Sequence, residues 1–197
     1  MCNLNLVLAS RSPQRRAILE QLRLPFRVVP SDHVEETVPG DPVATAERNA
    51  FGKAADLFEH GLIGPGEVVL GVDTVVVIDD HILGKAADVR QARGYLRTLR
   101  GRTHDVISGL TVLHAGTALV GHAVTAVTFR AFSDDAVERY LASDEWRDRA
   151  GAYAIQGVGS ALVQAVRGDY FNVVGLPVAL LVDRLAELGE DAFGWLC

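Results

Sequence analysis

The chain has 197 residues, 49% of them apolar and 22% charged, with 19 Lys and Arg against 25 Asp and Glu for a formal charge of −6. Such a length and apolar fraction suit one globular domain, or two small lobes packed together, and exclude a disordered chain. The negative balance argues against a dedicated nucleic-acid binder, which carries a basic face, while a few local cations would still hold a nucleotide. Cys2 and Cys197 stand at opposite ends, so there is no disulfide framework and no CxxC metal pair, which suits a reducing cytoplasm. No run approaches the ~20 apolar residues of a bilayer span, and the first residues lack a basic leader pattern. A soluble cytoplasmic protein with no membrane partner is expected.

In chain order, residues 4–9 read as a buried strand ending at the punctuation Ser10-Arg11-Ser12-Pro13. Ser12 has the character of an N-cap, with Pro13 at the first helical position, where its missing N–H costs nothing. Ala17, Ile18, Leu19 and Leu22 then continue at helical spacing. Residues 26–29 are a short strand and 32–39 an acidic loop, and a long helix is predicted from Asp41-Pro42 to His60. Residues 68–78, VVLGVDTVVVI, are β-branched and apolar except at Asp73 and Thr74, the composition of a central strand covered on both faces. Asp79-Asp80-His81 turns that strand into residues 82–85. A helix over 89–99 follows, then long antiparallel strands over 106–114 and 119–132. A short helix capped by Ser133, strands over 161–166 and 170–174, and an amphipathic helix over 177–188 complete the chain. The sum is an α/β fold, an elongated mixed β-sheet with flanking helices.

Four segments could carry chemistry. Ser10 to Arg16 joins a strand end, hydroxyls, a helix N-terminus and arginines, the components of an anion site. Asp73-Thr74 interrupts an apolar strand, and a carboxylate is costly there unless it is paired, hydrogen-bonded or metal-bound. Lys85 follows a hairpin and carries little weight alone. The glycine-punctuated stretch 150–177 places Gln156 and Asn172 among apolar residues, where an amide could read a nucleobase edge or could close a sheet corner. A P-loop, a zinc-ligand histidine spacing and a GxSxG elbow are all missing.

LASRSPQRRAILEQL, LGVDTVVVIDDHILGKA, GRTHDVISGLTV and GAYAIQG with GDYFNVVGLP, in this order and spacing, resemble the Maf family of nucleoside triphosphate pyrophosphatases over nearly the whole chain. The late stretch is similar to the branch acting on dTTP and UTP rather than that acting on 7-methyl-GTP. The resemblance implies a Maf/ITPase-like single domain over 1–197, two closely packed lobes around a central cleft, and commonly a homodimer. It implies hydrolysis between the α- and β-phosphates to a nucleoside monophosphate and pyrophosphate, with Mg²⁺ as the divalent metal and Mn²⁺ as the alternative. By the same resemblance Ser10, Ser12, Arg15, Lys53 and Lys85 bind phosphate, and Asp73 is the proton acceptor. Glu35 joins Asp73 at the metal, with the adjacent Glu36 open as the alternative carboxylate. Gln14, Thr74 and Gln156 set base preference, and here the sequence departs from the family pattern: the pyrimidine branch often has Arg where this chain has Gln14. Two alternatives stay open, the same reaction on a modified or purine base and a nucleotide-binding regulator of septum formation.

Overall fold

The computed structural model describes residues 5–189. Leu4, expected at the head of the first strand, and Cys2 and Cys197 lie outside the described residues. The elements follow as β1 (Asn5–Leu8), α1 (Pro13–Gln21), β2 (Phe26–Val28), α2 (Pro42–Glu59), β3 (Glu67–Ile78), β4 (His81–Leu83) and α3 (Val89–Leu99). Then come β5 (Thr103–His114), β6 (Thr117–Phe129), α4 (Asp134–Leu141), a 3₁₀ helix (Gly157–Leu162), β7 (Val163–Arg167), α5 (Tyr170–Val174) and α6 (Val178–Glu187). The seven strands make one mixed sheet in the order β2-β1-β3-β5-β6-β7, with β4 also on β3. The expected α/β fold is therefore present. No helix among the described residues is long and apolar enough to cross a membrane.

β3 is the strand around which the site is built. Along one edge β5 pairs with it over nearly its full length, from Val68↔His114 to Val77↔Asp105. The other edge is shared. Parallel β1 ends at Leu8↔Leu70, and antiparallel β4, reached through the tight turn at Asp79 and Asp80, ends at Leu83↔Val76. The two chains leaving β1 and β4 therefore run towards each other, and β3 from Gly71 to Val75 has no strand beside it on that edge. Asp73 and Thr74 sit in this gap.

Alternation then decides which face each residue serves. Val69 packs with Ala54 and Leu57 of α2, while Val68, Leu70 and Val72 pack with Ile18 and Leu19 of α1 and Leu181 of α6. Asp73 thus points to the α2 face and Thr74 to the α1 face. α2 lies unusually close to the sheet. Its buried stripe is Ala46, Ala50 and Ala54, and the strands beneath it answer with Gly71 and Gly109. A Cβ at Gly71 would overlap the Ala50 carbonyl oxygen, and one at Gly109 would overlap that of Ala46. Only glycine lets the helix backbone rest there. A further apolar cluster, built on Leu96, Leu99, Phe129 and Tyr140, lies under α3 and α4.

Two elements differ from expectation. Residues 170–174, expected as a strand, are the helix α5. Asp169 caps it, its Oδ1 accepting from Phe171 N at 2.8 Å, and Gly175 ends it at φ 129°. These local signals outweigh the strand-forming side chains of Tyr-Phe-Asn-Val-Val. The predicted strand over 161–166 begins instead as the end of the 3₁₀ helix, and β7 starts at Val163.

Candidate active site

The gap opens into a cleft of about 960 Å³. Every residue assigned a role by resemblance borders it: Ser10, Ser12, Gln14, Arg15, Glu35, Lys53, Asp73, Thr74, Lys85 and Gln156.

The first wall is the β1–α1 turn. Ser12 caps α1, with its Oγ accepting from Arg15 N at 3.5 Å and donating to Gln14 Oε1 at 3.0 Å. Ser10 Oγ accepts from Ser12 N and from Arg15 Nη1, both at 3.1 Å. Arg15 also donates from Nε to Gly175 O at 2.8 Å and from Nη2 to Thr74 Oγ1 at 3.2 Å, and Thr74 Oγ1 lies 2.9 Å from Ser108 Oγ. Arg15 is only 9% exposed and has no ion-pair partner among the described residues. Burial lowers its pKa, opposed by the fields of Asp73 and Glu35. It is a desolvated cation held in place by neutral groups.

The floor is Asp73, 5% exposed. Lys53 Nζ donates to its Oδ1 at 2.7 Å and Asn49 Nδ2 to its Oδ2 at 3.2 Å. Both donors come from α2 one turn apart, brought down by the close seating of that helix. Burial pushes the Asp73 carboxyl up, but the charge and hydrogen bond of Lys53, the field of Arg15 and the Asn49 bond outweigh it. The group is held below the ordinary carboxylate value and is ionised at neutral pH.

α2 also fixes the acidic loop. Asp56 accepts from Ser31 Oγ and Asp32 N, Asn49 bonds both the N–H and C=O of Glu36, and Thr45 Oγ1 accepts from Val38 N. This register puts the Glu35 carboxylate on Lys53 Nζ at 2.6 Å, while Glu36 reaches α2 through its backbone. Two carboxylates from different elements thus converge on one ammonium. That donor set fits a hard divalent cation that keeps waters and takes phosphate oxygens. Among the described residues no group of three or more His, Cys, Asp or Glu converges, so the rest of such a shell would not come from these side chains.

The second wall is looser. Lys85 follows β4, is exposed, and is bridged through its backbone to Ala150. Gln156 stands exposed at the head of the 3₁₀ helix, which Glu145 anchors by accepting from Val158 N and Gly159 N, each at 2.9 Å. Asn172, the other amide considered for base reading, is not in the cleft. It is fully buried and donates to Val106 O, Ala123 O and Thr125 Oγ1, joining α5 to the sheet. Sequence reasoning missed Asn49, although a lone amide four residues before Lys53 on an alanine-rich helix is a readable signal.

Fold and site together define an α/β protein with a cleft lined by arginines, lysines and carboxylates at an interrupted sheet edge. The chain belongs to the Maf family: the model of Maf-like proteins matches residues 5–188. A dTTP/UTP pyrophosphatase of Moorella thermoacetica is 46% identical over 193 residues, covering 96% of this chain and 97% of that protein. Those of Ruminiclostridium cellulolyticum and Pyrococcus furiosus are each 41% identical over 94% of this chain, with 97% and 95% of their own lengths covered. A solved nucleoside-triphosphatase / dITP/XTP pyrophosphatase from Mycobacterium abscessus gives a TM-score of 0.42 at 16% identity, over 94% of this chain and 97% of that one.

Proposed function

We propose that the chain is a nucleoside triphosphate pyrophosphatase that hydrolyses dTTP and UTP between the α- and β-phosphates. The observation that carries this reading is the convergence, in one gap, of a carboxylate held ionised and a buried guanidinium with no carboxylate partner among the described residues. The names and the close similarity of the relatives support the substrate class.

Ser10, Ser12 and Arg15 bind phosphate at the α1 wall, where the helix start adds backbone N–H groups. Lys85 reaches the polyphosphate from the opposite wall, and Lys53 orients Asp73 while facing the phosphates. Asp73 accepts a proton from the attacking water. The new bond forms from that water oxygen to the α-phosphorus, and the bond from the α-phosphorus to the α–β bridging oxygen breaks. Pyrophosphate leaves with the bonding electrons. Glu35 and Asp73 would hold Mg²⁺, or Mn²⁺ in its place, which when bound neutralises phosphate charge and polarises the water. Gln156 faces the base, with Gln14 and Thr74 completing the specificity set. The same reading takes the chain as a single domain of two closely packed lobes, supported by separate apolar clusters against α1 and α6 and under α3 and α4, and as a cytoplasmic homodimer.

With Mg²⁺ and a panel of UTP, dTTP, GTP and 7-methyl-GTP, the pyrimidine nucleotides should be turned over fastest and release pyrophosphate. Release of orthophosphate alone would refute the reaction, and preference for a purine would refute the substrate class. Asp73→Asn should keep its fold and its nucleotide binding yet lose about 10²-fold or more in kcat. Wild-type turnover in that variant would remove Asp73 from proton transfer.

A further inference from the structure

We infer that Arg149 grips the pyrophosphate end of the bound triphosphate and stabilises it as it departs. The inference rests on the pyrophosphatase reading above and concerns a residue to which that reading gives no role.

Most arginines of this chain either pair with a carboxylate, as Arg93 does with Glu138, or stand in solvent, as Arg48 and Arg167 do. Among the described residues only Arg15 and Arg149 are withdrawn from solvent without an ion-pair partner, and both border the cleft. Arg15 gives three of its five N–H donors to neutral acceptors. Arg149 has no side-chain hydrogen bond among the described residues. The carboxylates nearest in sequence do not satisfy it: Glu145 is committed to the backbone of Val158 and Gly159, and Asp148 is exposed and makes no ion pair with it. Burial accordingly lowers the pKa of Arg149, opposed more weakly by Tyr140, Glu145 and Asp148. A half-buried cation left without a partner costs stability unless a ligand completes it.

Charge balance identifies that ligand. A nucleoside triphosphate brings about four negative charges, mostly on its β- and γ-phosphates. Lys53 faces the polyphosphate but is already matched by Glu35 and Asp73, and Arg11 and Arg147, which also border the cleft, pair with Asp32 and Asp144, so of the phosphate-binding set only Arg15 and Lys85 bring uncompensated charge. Arg15 touches Thr74, beside the general base, and so serves the reacting phosphate. Arg149 precedes Ala150, which is bridged through its backbone to Lys85, so the two cations share the wall opposite α1. In-line displacement sends the leaving group away from the attacking water, and a guanidinium there can take two phosphate oxygens at once.

The test is inhibition of UTP turnover by inorganic pyrophosphate and, separately, by UMP, in the wild type, Arg149→Gln and Arg149→Lys. In Arg149→Gln the pyrophosphate inhibition constant should rise about tenfold or more, the UMP constant should stay within about twofold, and the melting temperature should not fall. Arg149→Lys should recover part of the loss, because the charge is kept and the two-pronged geometry is not. An unchanged pyrophosphate constant overturns the inference. So does an equal rise for UMP, which would place Arg149 at the nucleoside end, and so does a variant that only melts earlier. If the wild type releases no pyrophosphate from UTP, the underlying reading fails first.

Discussion

The two walls of the cleft hold their cations in opposite ways. On the α1 wall Arg15 spends its donors on Gly175, Ser10 and Thr74, and on the floor Lys53 spends its charge on two carboxylates. On the Lys85 wall the ammonium is exposed, and neither Lys85 nor Arg149 has an ion-pair partner among the described residues. Groups of the first kind are desolvated and oriented before any ligand arrives, so they can fix where an atom reacts. Groups of the second kind stay uncompensated until a charged ligand reaches them. One wall positions, and the other attracts.

Substitutions can break this contrast. The largest effect is expected for Arg15→Ala, which leaves the Gly175 carbonyl and the Ser10 and Thr74 hydroxyls short of a partner in a buried place. It should cost about 3 kcal/mol in urea unfolding and about 10³-fold in turnover, because fold and site share the residue. An unchanged unfolding midpoint would show that the first wall is no more structural than the second. Lys85→Ala should raise KM about tenfold, leave kcat within about threefold, and leave stability alone. Its penalty should shrink in high salt, whereas that of Arg15→Ala should not.

The smallest effect concerns pH. Behind the second wall His104 Nε2 lies 2.9 Å from the hydroxyl of Tyr153, and burial pushes its pKa down from 6.5 to about 4. Between those values the unfolded chain binds a proton that the folded chain refuses. Stability from this group is therefore complete above pH 6.5 and declines as pH falls towards 4. The melting temperature should drop by a few degrees over that window, and His104→Gln should flatten the drop. A drop that persists in His104→Gln would assign it to other groups.

Much of this was readable from the residues. The β-branched run of β3 announced a central strand, Ser12-Pro13 announced the start of α1, and a carboxylate inside an apolar strand marked Asp73 as a residue needing partners. Local pattern could not show that β1 and β4 share one edge of β3, because strand pairing is long-range information. The gap that makes the site was therefore invisible. α5 was misread because its side chains favour strands while its caps lie outside the window that periodicity samples. Asn49 was overlooked for a related reason: its partners, Glu36 and Asp73, lie on separate elements.

An unpaired strand edge is ordinarily a hazard, since bare amides and carbonyls can template a foreign strand and start aggregation. Here the bare stretch from Gly71 to Val75 is capped at both ends by the protein's own chains, and Lys53 and Asp73 crowd its middle. It is too short and too charged to recruit another polypeptide. The interruption in the sheet therefore leaves a cleft of small-molecule size while refusing a neighbour's backbone.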